Sequence, residues 1–115
     1  NKRIKRLIKN KKFIKRSFSK KEIELSKNSK NKTNFFAKRF AAKESLSKAI
    51  GTGFRKGLNL KDIEILNDVN GKPFYSKKKK VSNIINQIFE INKYHLFLSI
   101  TDERDYSIAF TILQK

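Results

Sequence analysis

Apolar residues recur at three- and four-residue intervals through Phe35, Phe36, Phe40, Ala42, Leu46, Ala49 and Ile50. That spacing predicts a helix over residues 33–50 with one buried side. Gly51-Thr52-Gly53 follows, the flexible backbone on which helices commonly end. Upstream, Ile4, Leu7, Ile8, Phe13 and Ile14 sit in a dense basic face, which predicts one amphipathic helix or two short ones over residues 2–16. Ser19, with Glu22 three residues on, is a capping-box pattern that opens another helix. Residues 26–34 are polar and turn-prone and read as a mobile connection.

After Gly57 the period changes. Ile63 and Ile65 alternate with Asp62 and Glu64 as in a strand. Asn70-Gly71 is a hairpin signal, because both residues tolerate positive φ. Pro73-Phe74-Tyr75 is the return strand, with proline in its permitted first position. Lys77 to Lys80 read as a solvated link, and Val81, Ile84, Ile85 and Ile88 restore helical spacing. In the next strand Leu96, Leu98 and Ile100 point one way and Phe97, Ser99 and Thr101 the other. A charged turn, Asp102 to Asp105, leads to a last strand with Tyr106, Ile108, Phe110 and Ile112 on one face. The predicted class is α+β, helices packed on a small antiparallel sheet.

Composition narrows the setting. The 115 residues are enough for a single domain spanning 1–115, and 37% hydrophobic residues with ten Phe allow a compact core. Small domains bury a smaller share of their surface, so oligomerisation would help. No apolar run approaches the roughly 20 residues of a membrane-spanning helix, and the start lacks the apolar stretch of a signal peptide. Without cysteine there is neither a disulfide framework nor a thiolate metal site, and a cytoplasmic location is expected. The formal charge of +19 predicts attraction to polyanions or acidic proteins, without saying which. Lysine is accompanied by abundant asparagine and isoleucine, so part of the excess is compositional bias.

A second stripe of the central helix carries the candidate chemistry. Ala37, Ala41, Glu44, Lys48 and Gly51 follow one another at three- and four-residue steps. Three of the five are small, so a ligand could approach the backbone beside one carboxylate and one ammonium, as for a metal ion next to a phosphate. Glu44 and Lys48 are also spaced for an ordinary surface ion pair.

The ordered string Arg39-Phe40-Ala41-Ala42-Lys43-Glu44, three residues, Lys48-Ala49, one residue, Gly51-Thr52-Gly53 resembles the signature of the holo-acyl-carrier-protein synthases, the short 4'-phosphopantetheinyl transferases. Further blocks resemble the family in the same order: Lys2-Arg3-Ile4 with Phe13 to Glu22, Asp62 to Ile65 with Asn70-Gly71-Lys72-Pro73, then Leu98 to Glu103 with Tyr106 to Phe110. The resemblance implies transfer of the 4'-phosphopantetheine arm from coenzyme A to a serine of acyl carrier protein, leaving adenosine 3',5'-bisphosphate. It also implies a homotrimer and a Mg2+ cofactor held by Glu44.

In that family frame Lys48 would reach a phosphate oxygen, and Gly51 and Thr52 would let the nucleotide lie against the backbone. Arg39 lies about 140° round the helix from Glu44, and the family places the corresponding arginine at a site shared between subunits. A plain salt bridge is the other reading of Arg39. Asn70, Gly71 and Pro73 resemble the family's turn near the nucleotide, and equally make a good hairpin. Acyl carrier proteins are acidic, so Arg3, Arg6, Phe13 and Arg16 are the candidate docking residues. The family's N-terminal Gly-rich strand, with an aspartate sharing the metal, would fall before Asn1 and is expected to be missing from this sequence. Many members carry a histidine two residues before the position of Ser99; Phe97 stands there, so His95 is not given that role. The alternative from another class is a basic nucleic-acid-binding protein of ribosomal type, for which the chain shows no recognised motif; neither a nucleic acid nor a membrane is expected as partner.

Overall fold

The computed structural model of the chain describes residues 2–51, 57–102 and 107–115, with side chains from residue 5 onward. The basic N-terminal stretch forms two short helices, α1 (Lys2–Leu7) and α2 (Lys11–Ser17). Asn10 separates them: its side-chain oxygen accepts from the amides of Lys12 at 2.9 Å and Phe13 at 3.2 Å, the capping role that suits asparagine. Helix α3 (Lys20–Ser26) opens with the expected capping box, Ser19 Oγ accepting Glu22 N at 3.1 Å and Glu22 Oε1 accepting Ser19 N at 2.9 Å. The polar connection is shorter than its composition suggests. Ser26 still belongs to α3, and Asn31 already caps α4 (Lys32–Ile50) by accepting from Asn34 N at 3.0 Å.

Helix α4 is the spine of the fold. Phe36, Ala42, Leu46 and Ile50 are buried as expected, but Ala49 is exposed and Phe35 and Phe40 are only half-buried. The buried stripe instead runs through two cations, Arg39 and Lys43. Lys43 is fully buried: its Nζ donates to Glu22 Oε1 at 2.7 Å, to the Leu60 carbonyl at 3.0 Å and to the Ile63 carbonyl. Glu22 is equally buried and also accepts the Ile65 amide at 3.2 Å. One ion pair therefore joins α3, α4 and the chain entering the first strand. Phe13, Phe18, Phe36 and Phe40 stack nearby in edge-on and tilted contacts, which fasten α2 to α4.

Two antiparallel ribbons stand where a single small sheet was expected. The first pairs β1 (Ile65–Asn67) with β2 (Pro73–Tyr75), with Ile65 opposite Tyr75. Its start is later than the alternation of residues 62–65 predicted. Leu60–Asp62 form a 3-10 turn, and Ile63, Glu64 and Ile65 are all buried rather than alternating. Glu64 is satisfied there by Ser19 Oγ at 2.6 Å and Ser76 Oγ at 2.8 Å. In the hairpin only Gly71 takes positive φ, +83°; Asn70 does not. The turn is closed by Asp68, whose Oδ1 accepts the amides of Asn70 and Lys72 at 2.9 Å.

Helix α5 (Lys79–Phe89) takes up the last two residues of the expected lysine link and buries Val81, Ile84 and Ile85. The second ribbon pairs β3 (His95–Asp102) with β4 (Ser107–Gln114), Leu98 opposite Thr111 and Phe97 opposite Ile112. Leu96, Leu98 and Ile100 of β3 join Ala109 and Leu113 of β4 against the core. The expected common face of β4 is the opposite one: Phe110 and Ile112 are 64% and 61% exposed, beside Phe97 at 49%. Tyr106 lies outside the described residues. Among the described residues no helix is long and apolar enough to cross a membrane.

The Glu22–Lys43 pair yields a first prediction. Glu22→Ala should lower unfolding stability by about 3–5 kcal/mol, because Lys43 is left buried without its counter-charge. Urea unfolding followed by circular dichroism measures the loss.

Candidate functional site

Glu44 and Lys48 project from consecutive turns of α4 and are both exposed. Among the described residues neither takes part in an ion pair within 4.0 Å, so the surface pair their spacing allows is not made. The turn that carries them is nevertheless held on several sides. Lys43, one residue before Glu44, is anchored in the core, and Ser47 Oγ donates to the Lys43 carbonyl at 2.8 Å. Ser45 Oγ accepts from Thr111 Oγ1 of β4 at 2.7 Å. Gly51 ends the helix at φ +78°, its amide donating to the Ser47 carbonyl at 2.9 Å, and no atom of the described residues lies within 4 Å of where a Cβ would stand. A side chain there would be strained by the backbone rather than by crowding. Thr52 lies outside the described residues.

A second group of candidate residues gathers elsewhere. Arg39, Gly71 and Pro73 line a cavity of about 420 Å3 together with Asn34, Lys38, Asn67 and Asp102. Glu44, Lys48 and Gly51 are not among its walls. Arg39 is almost fully buried at its edge: one guanidinium nitrogen donates to Asn67 Oδ1 at 2.6 Å, and the group lies 3.8 Å from the Phe35 ring centroid. Its Nε stands 4.0 Å from Glu22 Oε2 and has no hydrogen-bond partner among the described residues. Burial lowers the Arg39 pKa, opposed by the charge of Glu22. Arg39 is thus held by a loose internal ion pair and also lines the cavity. Asn70 is exposed at the hairpin beside the cavity.

The basic face lies on the two N-terminal helices. Arg6 and Arg16 are exposed on α1 and α2, and the Arg3 side chain lies outside the described residues. Phe13 is half-buried between the rings of Phe18 and Phe40, so much of its surface is spent on holding α2 in place. His95 is exposed at the start of β3.

The profile of the 4'-phosphopantetheinyl transferase superfamily matches residues 1–111. The chain belongs to this superfamily. A holo-acyl-carrier-protein synthase of Pelagibacter ubique (strain HTCC1062) is 53% identical over 115 residues, all of this chain and 90% of that protein. In structure the chain is similar to the holo-acyl-carrier-protein synthase of Neisseria meningitidis, with a TM-score of 0.85 and 34% identity over 99% of this chain and 90% of the other. It is also similar to the Bacillus anthracis synthase solved with CoA (3',5'-ADP), with a TM-score of 0.77 and 32% identity over 98% of this chain and 87% of the other.

Within this transferase fold, the cavity residues Asn34, Lys38, Asn67 and Asp102 are not among the candidates the sequence offers. Asp102 Oδ2 accepts from Asn34 Nδ2 at 2.6 Å and faces Lys38 Nζ at 3.3 Å, while Oδ1 accepts from Ser107 Oγ at 2.9 Å. These contacts tie the first turns of α4 to the β3–β4 hairpin. Their sequence separation exceeds 60 residues for Asn34 and Asp102, so no local pattern signals them. Burial raises the Asp102 pKa, but the hydrogen bonds and Lys38 outweigh it and hold the carboxyl below its ordinary value.

A carboxyl whose folded pKa is depressed adds stability above its unfolded pKa, and that contribution is lost as pH falls through the folded value. Asp102→Asn should therefore flatten the acid side of the stability profile below about pH 4, where carboxyls titrate. Urea midpoints measured against pH for the parent and the variant test this.

Proposed function

We propose that this chain is a holo-acyl-carrier-protein synthase, moving the 4'-phosphopantetheine arm of coenzyme A onto a serine of apo-acyl carrier protein. The observation that carries the reading is that Glu44 and Lys48 are exposed and make no ion pair among the described residues, in a chain 53% identical to such a synthase. The reaction joins the serine oxygen to the phosphorus nearest the pantetheine arm. The bond from that phosphorus to the bridging oxygen breaks, adenosine 3',5'-bisphosphate departs, and the hydroxyl proton is lost. Chemistry of this kind is mostly positioning and charge neutralisation.

The residues present fit Mg2+. Glu44 offers a carboxylate unclaimed by any ion pair among the described residues, and magnesium takes one or two carboxylates with phosphate oxygens and waters. No group of three or more His, Cys, Asp or Glu converges among the described residues, so the phosphates themselves would supply further ligands. When bound, the ion would neutralise the diphosphate and stabilise charge on the leaving group. Lys48 places a compact positive charge one turn further on, suited to a phosphate oxygen. Gly51 leaves room for nucleotide against the helix end. Arg16 and Arg6 present the cationic face that an acidic carrier protein would approach, a contact that chiefly raises association rate.

The separation of the two candidate groups supports a homotrimer with shared sites. Arg39, Gly71 and Pro73 line one cavity, while Glu44 and Lys48 are not among its walls. A cyclic head-to-tail interface brings two different faces of identical chains together. It would set the hairpin of one copy against the Glu44 turn of the next. The exposed apolar strip of Phe97, Phe110 and Ile112 is the surface such an interface would cover.

Two measurements test the reading. Mass spectrometry of apo-acyl carrier protein incubated with coenzyme A, Mg2+ and the protein should show the added arm. Glu44→Ala should abolish that product with an unchanged circular dichroism spectrum, and near-normal turnover would remove Glu44 from the metal site. Phe110→Asp should convert a trimer into monomers in sedimentation velocity and lose transfer at the same time. A parent that sediments as a monomer and still turns over would reject the shared site.

A further inference from the structure

The Glu44 turn is fastened by a hydroxyl cluster that belongs to neither candidate site. Tyr75, the last residue of β2, donates its Oη to the Ala42 carbonyl of α4 at 2.7 Å. The same oxygen lies 2.7 Å from Thr111 Oγ1 of β4, and Thr111 donates to Ser45 Oγ at 2.7 Å. Ala42 and Ser45 flank Glu44 at two residues before and one residue after. The carbonyl of Ala42 has a second lone pair for this bond beyond its helical partner. Tyr75 packs against the hydrophobic core, opposite Ile65 in the ribbon, so its ring has no freedom to leave.

We propose that Tyr75 is a positioning residue, whose hydroxyl, with Thr111 and Ser45, fixes the rotation and depth of the α4 turn that presents Glu44. The inference rests on the reading of Glu44 given above. Three elements meet at the cluster: the ribbon with the Asn70–Pro73 turn, the central helix and the edge of the β3–β4 ribbon. Lys43 holds the inner side of the same turn through Glu22, so the hydroxyl cluster supplies a second restraint. With two restraints the turn can neither roll about the helix axis nor lift away from the sheet. Burial pushes the Tyr75 pKa up to about 12, opposed by the neighbouring Thr111 hydroxyl. The hydroxyl therefore keeps its proton, and its donor role, throughout the working range of pH.

Tyr75→Phe removes the oxygen and keeps the ring; Thr111→Val removes the second hydroxyl with little change of shape. Amide hydrogen exchange of the metal-free protein should be faster at residues 44–48 by roughly two- to tenfold, the change one net hydrogen bond supports. Exchange at residues 34–38 should stay as in the parent. In transfer assays the half-saturating Mg2+ concentration should rise and kcat fall, with KM for the carrier protein unchanged. Unchanged exchange at 44–48 in both variants overturns the proposal. So does exchange that quickens uniformly along α4 with kinetics unaltered, the signature of a merely structural hydroxyl. The exchange result stands whatever Glu44 does in turnover. Failure of Glu44→Ala to abolish transfer would discredit the metal reading instead.

Discussion

The Glu22–Lys43 ion pair is the contact on which the rest of the structure depends. Glu22 caps α3 through the Ser19 amide, meets Lys43 of α4 at 2.7 Å and accepts the Ile65 amide where β1 begins. Both side chains are fully buried. Burial of such a pair brings little net stability, because desolvation offsets most of the attraction. Its consequence is geometric. Lys43 also donates to the Leu60 and Ile63 carbonyls, so only one rotation of α4 satisfies all three acceptors at once. Glu44 follows about 100° further round the helix and is exposed, so the same rotation sets where the proposed site residue stands.

The helix pattern made α4, its glycine end and the Ser19 capping box legible, because each rests on contacts within a few residues. The inward role of Lys43 was not legible in the same way, although a signal was present. Phe36, Lys43 and Ile50 are seven residues apart, so a charged residue sits midway along the apolar stripe. A cation in that position needs a buried acid, and the capping-box Glu22 supplies it. The partner comes from another helix, and periodicity within one element says nothing about its neighbours. The ribbon start at residues 62–65 failed for a related reason. The strand pattern of Ile63 to Ile65 assumed a polar outer face, whereas Glu64 turns inward to Ser19 and Ser76.

The candidate site divides along the same line. Glu44, Lys48 and Gly51 are local to one helix, and their common stripe followed from its period. Arg39, Asn70, Gly71 and Pro73 could be named from the family signature, but the convergence of Arg39, Gly71 and Pro73 on one cavity depends on how the β1–β2 ribbon docks against α4. The Arg39–Asn67 bond spans 28 residues and Asn34–Asp102 spans 68. Such contacts follow from tertiary packing, and no spacing rule anticipates them. The outward face of β4 shows the converse case. Alternation placed Ile108, Phe110 and Ile112 together correctly, yet alternation alone does not say which face meets the core. Thr111 and Ala109 take the inner side because α4 lies close there, and Thr111 finds Ser45 as its partner.

Charge completes the argument. Of the ten acidic residues in a chain of formal charge +19, Glu22, Glu24, Asp62, Glu64 and Asp102 are engaged in ion pairs, and Asp68 is engaged in its own turn. Among the described residues, Glu44 and Glu90 are the exposed carboxylates that take part in none of these contacts. Lys48 stands within a helical turn of Glu44 and does not close on it. If the pair were only structural, that contact would be the cheapest one available to both groups. On the function proposed above, the two groups left apart would offer opposite charges to a ligand that itself carries both, a cation and a diphosphate. The excess of lysine elsewhere would then act at longer range, drawing an acidic partner and an anionic nucleotide toward the surface where Glu44 is the proposed metal ligand.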